Sequence, residues 1–118
     1  MVIDEPESVA LRQYLAARPR LASSALARVE FTRAVKLHRA AAVTDAEDFL
    51  RSFYLVPVAD EVLLAAADLA SATLRSRDAI HLASALSLGG RLAAIVTYDQ
   101  RMSRAAADLG LAVAAPGR

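Results

Sequence analysis

Short apolar runs alternate with longer amphipathic stretches along the chain, and this alternation constrains the fold more than any other feature. Arg20 to Ser23, Leu55 to Val58, Leu92 to Thr97 and Leu111 to Ala114 read as short strands. Of these, Leu92 to Thr97 is a continuous apolar run, which is how a strand buried on both faces reads. Helix starts fall between and around them. Asp4-Glu5-Pro6-Glu7 opens a first helix to about Ala17, burying Leu11, Tyr14 and Leu15, and Pro19 ends it. Ser23 or Ser24 can cap a second, from about Ala25 to Ala41. Thr44-Asp45-Ala46-Glu47 is a capping box for a short helix that turns Ala46, Phe49, Leu50 and Phe53 inward. Asp60-Glu61 opens another, burying Val62, Ala66, Leu69 and Ala70. A helix capped by Ser76 runs to the stop at Gly89-Gly90, and one from Asp99 to Leu109 ends at Gly110. Strands alternating with helices predict an α/β fold, a parallel sheet with helices on both faces. At 118 residues, with no repeat, linker or low-complexity tract, a single domain spanning 1–118 is expected.

Hydrophobic residues make up 56% of the chain, which taken alone suggests a membrane protein. Much of that is Ala, and charges interrupt every long apolar stretch, as Asp60, Glu61 and Asp68 do between Leu55 and Leu74. No run reaches the roughly 18 uncharged residues of a spanning helix. The N-terminus opens with Asp4, Glu5 and Glu7 rather than with basic residues, unlike a signal peptide, so a soluble, cytoplasmic protein is expected. The chain has no cysteine, which excludes disulfides, thiolate metal sites and a Cys nucleophile. Net charge is +1, so no overall basic character advertises nucleic-acid binding. Among the 14 basic residues only Lys36 is lysine; the rest are Arg, whose planar fork suits phosphate.

Three acids stand out by position. Glu30 falls on the apolar stripe of its helix, with Ala27, Phe31 and Ala34 at helical spacing. Asp78 sits in the first turn of the Ser76 helix and shares a face with His81, Leu82 and Ala85. Asp99 follows the buried-looking strand directly, and α/β sheets bind ligands beyond the carboxyl ends of their strands. Two have a structural alternative: Asp78 as a dipole-stabilising acid at a helix start, and Glu30 as an edge-of-stripe residue, solvated or paired with an Arg. If they converge, their mutual repulsion implies a hard cation, Mg²⁺ or Mn²⁺, held through oxygen. Such a site can activate water and neutralise charge on a phosphodiester. His81 reads as a packed helix histidine rather than a general base.

Leu74-Arg75-Ser76-Arg77-Asp78-Ala79-Ile80-His81-Leu82-Ala83-Ser84-Ala85-Leu86, with Ile95-Val96-Thr97-Tyr98-Asp99 after it, resembles PIN-domain ribonucleases, nearest to the VapC-type toxins of bacterial toxin–antitoxin pairs. Ser23-Ser24-Ala25-Leu26-Ala27-Arg28-Val29-Glu30 matches the second motif of that family, and Leu55-Val56-Pro57-Val58 resembles its third strand. The resemblance implies a three-layer α/β/α fold and a metal-dependent endoribonuclease, the toxin of a VapBC-type pair, that cleaves RNA phosphodiesters with a metal-activated water. It implies Mg²⁺ or Mn²⁺ as cofactor, a VapB-type antitoxin as partner and a homodimer. Carried over residue by residue, Glu30, Asp78 and Asp99 are the acidic metal-site residues, and Thr97 is a hydroxyl that orients an acid or a water. Arg101 and Arg104, in the helix after Asp99, are candidate phosphate contacts, followed by Arg75 and Arg77. One departure stands out: the family opens with a central strand carrying an Asp-Thr-Ser-type motif, and Met1-Val2-Ile3 is too short to supply it. A start assigned too far downstream or a truncation is therefore expected, with weak stability and impaired catalysis if the short form is real. The alternative reading is a catalytically impaired PIN-like module that binds an antitoxin or other protein.

Overall fold

The computed structural model of the chain describes residues 8–18, 21–38, 48 and 50–117. They belong to two compact units, one drawn from 1–56 and 116–118, the other from 57–115.

The first unit contains α1 (Ser8–Ala16), β1 (Leu21–Ser24), α2 (Ala27–His38) and β2 (Phe53–Val56). β1 and β2 pair in parallel, with Leu21 opposite Phe53 and Ser24 opposite Val56. A parallel pair needs a crossover, and α2 lies within it. The ladder runs one residue past β1, where the Ala25 N–H donates to the Val56 carbonyl at 2.9 Å. Ser24 makes the turn into α2: it is buried, and its Oγ accepts from the Leu26 N–H at 3.2 Å. Ser24, one of the two serines read as caps, bonds within the turn before α2, which itself starts at Ala27. Among the described residues of this unit, Leu11, Leu50 and Val56 are the buried apolar side chains.

Two boundaries here differ from the sequence reading. Phe53, expected on a helix, is the first residue of β2, and β2 ends at Val56 rather than Val58. Pro57 has no N–H to continue a ladder, so the strand stops before it. Asp4 to Glu7 and the Thr44–Glu47 box lie outside the described residues.

The second unit contains α3 (Asp60–Leu69), α4 (Ser76–Ser87), a 3₁₀ turn at Gly89–Arg91, β3 (Ile95–Val96), α5 (Gln100–Asp108) and β4 (Val113–Ala114). α3 and α4 pack against each other as its principal helix pair. α3 buries Val62 and Ala66, and α4 buries Ala79, Leu82, Ala83 and Ser84. The abundant alanine thus serves close helix packing. The buried Ser84 hydroxyl donates to the Ile80 carbonyl at 2.8 Å, so no polar group there is left unmet. Ala70, expected in the core, caps α3 and is exposed.

β3 and β4 pair in parallel, Ile95 with Val113 and Val96 with Ala114. The doubly buried strand expected from Leu92 to Thr97 is only two residues long, and both are half-buried. Both glycine stops act as the sequence implies. Gly89 adopts φ +58° after the last α4 residues. Gly110 adopts φ +80°, while the Gly110 and Leu111 N–H groups return to the Ala107 and Ala106 carbonyls at 2.9 and 3.0 Å. That closure satisfies the last α5 carbonyls, and only glycine enters its left-handed position at no steric cost. Among the described residues, no helix is long and apolar enough to cross a membrane.

Candidate active site

In the second unit, the starts of α4 and α5 border one open pocket of about 310 Å³, lined by Arg75, Arg77, Asp78, Asp99, Gln100 and Arg101. Two of the three acids singled out by the sequence therefore meet.

The start of α4 is set by the loop before it. The Ser71 Oγ accepts from the Thr73 and Leu74 N–H groups at 3.3 and 3.1 Å, and the Ser71 N–H donates to the Leu74 carbonyl at 3.0 Å. Leu74, the last residue of this tight turn, is buried. Arg75 follows as the N-cap, with no side-chain hydrogen bond to the helix. Ser76, expected to be the cap, is instead the first helical residue. The core stripe of α4 is formed by Ala79, Leu82 and Ala83, which leaves Asp78 on its border. There the Asp78 side chain is 17% exposed, and its Oδ1 lies 3.8 Å from Arg77 Nε. A mostly covered carboxylate beside a guanidinium is a partly compensated charge, which is how it can sit next to a core stripe.

Asp99 is built differently. It lies beyond β3 as the N-cap of α5, and its Oδ1 accepts from the Met102 N–H at 2.9 Å. Its own N–H donates to Thr97 Oγ1 at 3.1 Å, so Thr97 fixes the backbone that carries the carboxylate. Met102, buried under the first turn, anchors the other end of the cap. The Met102 N–H is the largest influence holding the Asp99 carboxyl below an ordinary aspartate's 3.8; desolvation opposes it, while the Arg101 N–H and the charges of Arg101 and Arg75 reinforce it. Asp99 is exposed and ionised at neutral pH.

The remaining sequence candidates fall as follows. Arg101 lines the pocket, joined by Arg75 and Arg77; Arg104, one turn on, is exposed and does not line it. Gln100 lines it without having been singled out, because a lone Gln after the cap belongs to no periodic pattern. His81 is half-buried one turn beyond Asp78 and is not a lining residue. Glu30 belongs to the first unit, half-buried in the first turn of α2.

A family model described as PIN domain matches residues 1–108. The chain belongs to the PIN-domain family. Ribonuclease VapC46 of Mycobacterium tuberculosis is 45% identical over 116 residues, covering 98% of this chain and 89% of the relative. Ribonuclease VapC47 of the same species is 37% identical over 122 residues, with 99% and 90% covered. Ribonuclease VapC35 is 38% identical over 118 residues, with 97% and 87% covered. By these relatives it is a VapC-type member of the PIN-domain family, and the helix-rich architecture with parallel strand pairs accords with the α/β fold of that family. No solved structure matches the chain.

For a PIN-domain protein the question is whether the pocket fits a divalent cation. Among the described residues, no group of three or more His, Asp or Glu could hold a metal ion. The pocket does supply two carboxylates, hard oxygen donors of the kind Mg²⁺ and Mn²⁺ take. Mg²⁺ commonly uses one or two carboxylates and fills its shell with water and substrate phosphate. The donor set fits such an ion.

Proposed function

We propose that this PIN-domain protein is a metal-dependent endoribonuclease, the toxin of a VapBC-type pair, restrained by a VapB-type antitoxin and acting on cytoplasmic RNA as a homodimer. The observation that carries this reading is the meeting of Asp78 and Asp99 in one pocket with three arginines. A pair of carboxylates alone repels an RNA backbone; carboxylates interleaved with guanidinium groups can take a cation and a phosphate side by side. The names of the VapC relatives agree with it.

In this mechanism Asp78 and Asp99 would hold Mg²⁺ or Mn²⁺ through their carboxylate oxygens. When bound, the ion supplies activation of water and neutralisation of phosphate charge. Asp99, already ionised and held by its cap bond to Met102, offers its carboxylate in one fixed orientation. Thr97 acts one step back, holding the Asp99 N–H and thereby the approach of the chain into α5. Arg101, Arg75 and Arg77 face the phosphate and stabilise charge that develops on it. Glu30, the third acid implied by the family motifs, is assigned to the same chemistry and tested separately by Glu30→Gln.

The experiment is cleavage of total tRNA by the full chain with Mg²⁺, Mn²⁺ or EDTA, with Asp78→Asn purified in parallel. Metal-dependent cleavage that disappears in the variant supports the reading. Cleavage that survives in Asp78→Asn, or a folded protein that cleaves nothing under any condition, defeats it; the second outcome favours the partner-binding module instead.

A further inference from the structure

Contacts to a phosphate carry no sequence information, because every nucleotide presents the same phosphate. Of the six described side chains that line the pocket, five are charged. The guanidinium groups only donate hydrogen bonds, and the carboxylates only accept them. The sixth is Gln100, the one lining side chain that is neutral and does both. Gln100 is the first residue of α5, directly after the Asp99 cap. The bond from the Asp99 N–H to Thr97 Oγ1, and the one from the Met102 N–H to Asp99 Oδ1, fix the backbone on either side of it. The residue is exposed, and among the described residues its amide makes no hydrogen bond. A rigidly mounted amide with both functions unspent serves recognition rather than the fold. The pocket, at about 310 Å³, has the size of a small-ligand site, roughly 300–1,000 Å³.

We infer that Gln100 is a specificity residue that reads the base beside the scissile phosphate, and that this base is adenine. A primary amide sets a donor and an acceptor side by side, which matches a base edge carrying an exocyclic amine next to a ring-nitrogen acceptor. Adenine shows that pattern on two edges, N6 with N7 and N6 with N1; cytosine shows it on one, N4 with N3. Uracil has no exocyclic amine, and the O6 and N7 of guanine suit a guanidinium fork. In single-stranded RNA these edges are open to a side chain once the base is unstacked. The inference rests on the pocket being the nuclease site. It adds a selection step that side chains committed to cation and phosphate do not supply.

The experiment is fluorescence anisotropy of labelled oligoadenylate, oligocytidylate and oligouridylate of equal length with the full chain, in Mg²⁺ and in EDTA. It is repeated for Gln100→Leu and for Gln13→Leu. Leucine keeps the approximate size of the side chain and removes both hydrogen-bonding functions. Gln13, exposed on α1 in the other unit, controls for the loss of a surface amide. Both glutamines are exposed, and circular dichroism verifies the fold of each variant. Gln100→Leu is expected to weaken oligoadenylate binding about fivefold or more and to change the other two by less than about twofold. Gln13→Leu is expected to change all three by less than about twofold. An equal effect of Gln100→Leu on the three RNAs, a larger one on oligocytidylate or oligouridylate, or no binding to any of them overturns the inference. Metal-dependent tRNA cleavage alongside any of those results removes the inference alone. Adenine-selective binding that needs Gln100, in a chain that cleaves nothing, removes the nuclease reading alone.

Discussion

α4 and α5 both begin at the pocket, and they begin in opposite ways. α5 opens on Asp99, an exposed carboxylate that caps its own helix and is itself held by Thr97. α4 opens on Arg75, with its acid inside the first turn, largely covered and beside a guanidinium. One acid has a structural duty besides any chemistry; the other stabilises its helix only through the dipole and a long ion pair. A residue that caps its own helix can be replaced by a better or worse cap. Asp78 offers no such substitution, so its loss is read mainly in activity.

Substitutions at the two helix starts test this contrast. Asp78→Asn is expected to reduce metal-dependent tRNA cleavage by about a hundredfold or more, since losing even a residue that only hydrogen-bonds a metal's ligand costs about 10–100-fold. A thermal midpoint near the wild type shows that the loss is chemical; a midpoint that falls with the activity breaks the contrast. Leu82→Ala removes a fully covered side chain about one turn along α4 from Asp78. It is expected to lower stability by about 2–5 kcal/mol in urea unfolding.

At α5, Asp99→Asn and Asp99→Ala separate the two duties. Asn caps nearly as well as Asp, so cleavage falls in both while the midpoint falls clearly only in the alanine variant. Equal midpoints for the two variants mean that the cap contributes nothing. The pH dependence follows from the lowered Asp99 pKa. A depressed carboxyl stabilises the fold fully above the unfolded value of 3.8 and loses that contribution as pH falls through its folded value. The midpoint gap between wild type and Asp99→Ala is therefore steady at neutral pH and shrinks below about pH 4.

The smallest effect is expected at Ser76. A capping serine replaced by alanine costs about 1 kcal/mol. Since Ser76 is the first helical residue and Arg75 the cap, Ser76→Ala is expected to shift stability by less than about 0.5 kcal/mol. A full capping cost returns Ser76 to the role the sequence suggested.

That discrepancy shows where the sequence is readable. Residue type predicted a cap at Ser76, but cap position depends on where the preceding loop releases the chain. Ser71 and buried Leu74 set that point by hydrogen bonds and burial that no local pattern displays. The strand within Leu92–Thr97 is shorter than its apolar run for a related reason. Apolar character marks it for burial, yet only Ile95 and Val96 find a partner on β4. Phe53 has the spacing of a helix face but enters β2, where pairing with Leu21 outweighs local periodicity.

The sequence by itself determined the α/β alternation, the helix stops at Gly89 and Gly110, and the motifs that mark a PIN-domain protein. These are local properties: a left-handed turn needs glycine, and helical or strand periodicity lies within a few neighbouring residues. Tertiary structure alone decided that Asp78 and Asp99 face one pocket, and that Arg75 and Gln100 join them while Arg104 does not. Residues far apart in the chain meet only through packing, and packing is a sum over many contacts that no short stretch of sequence contains.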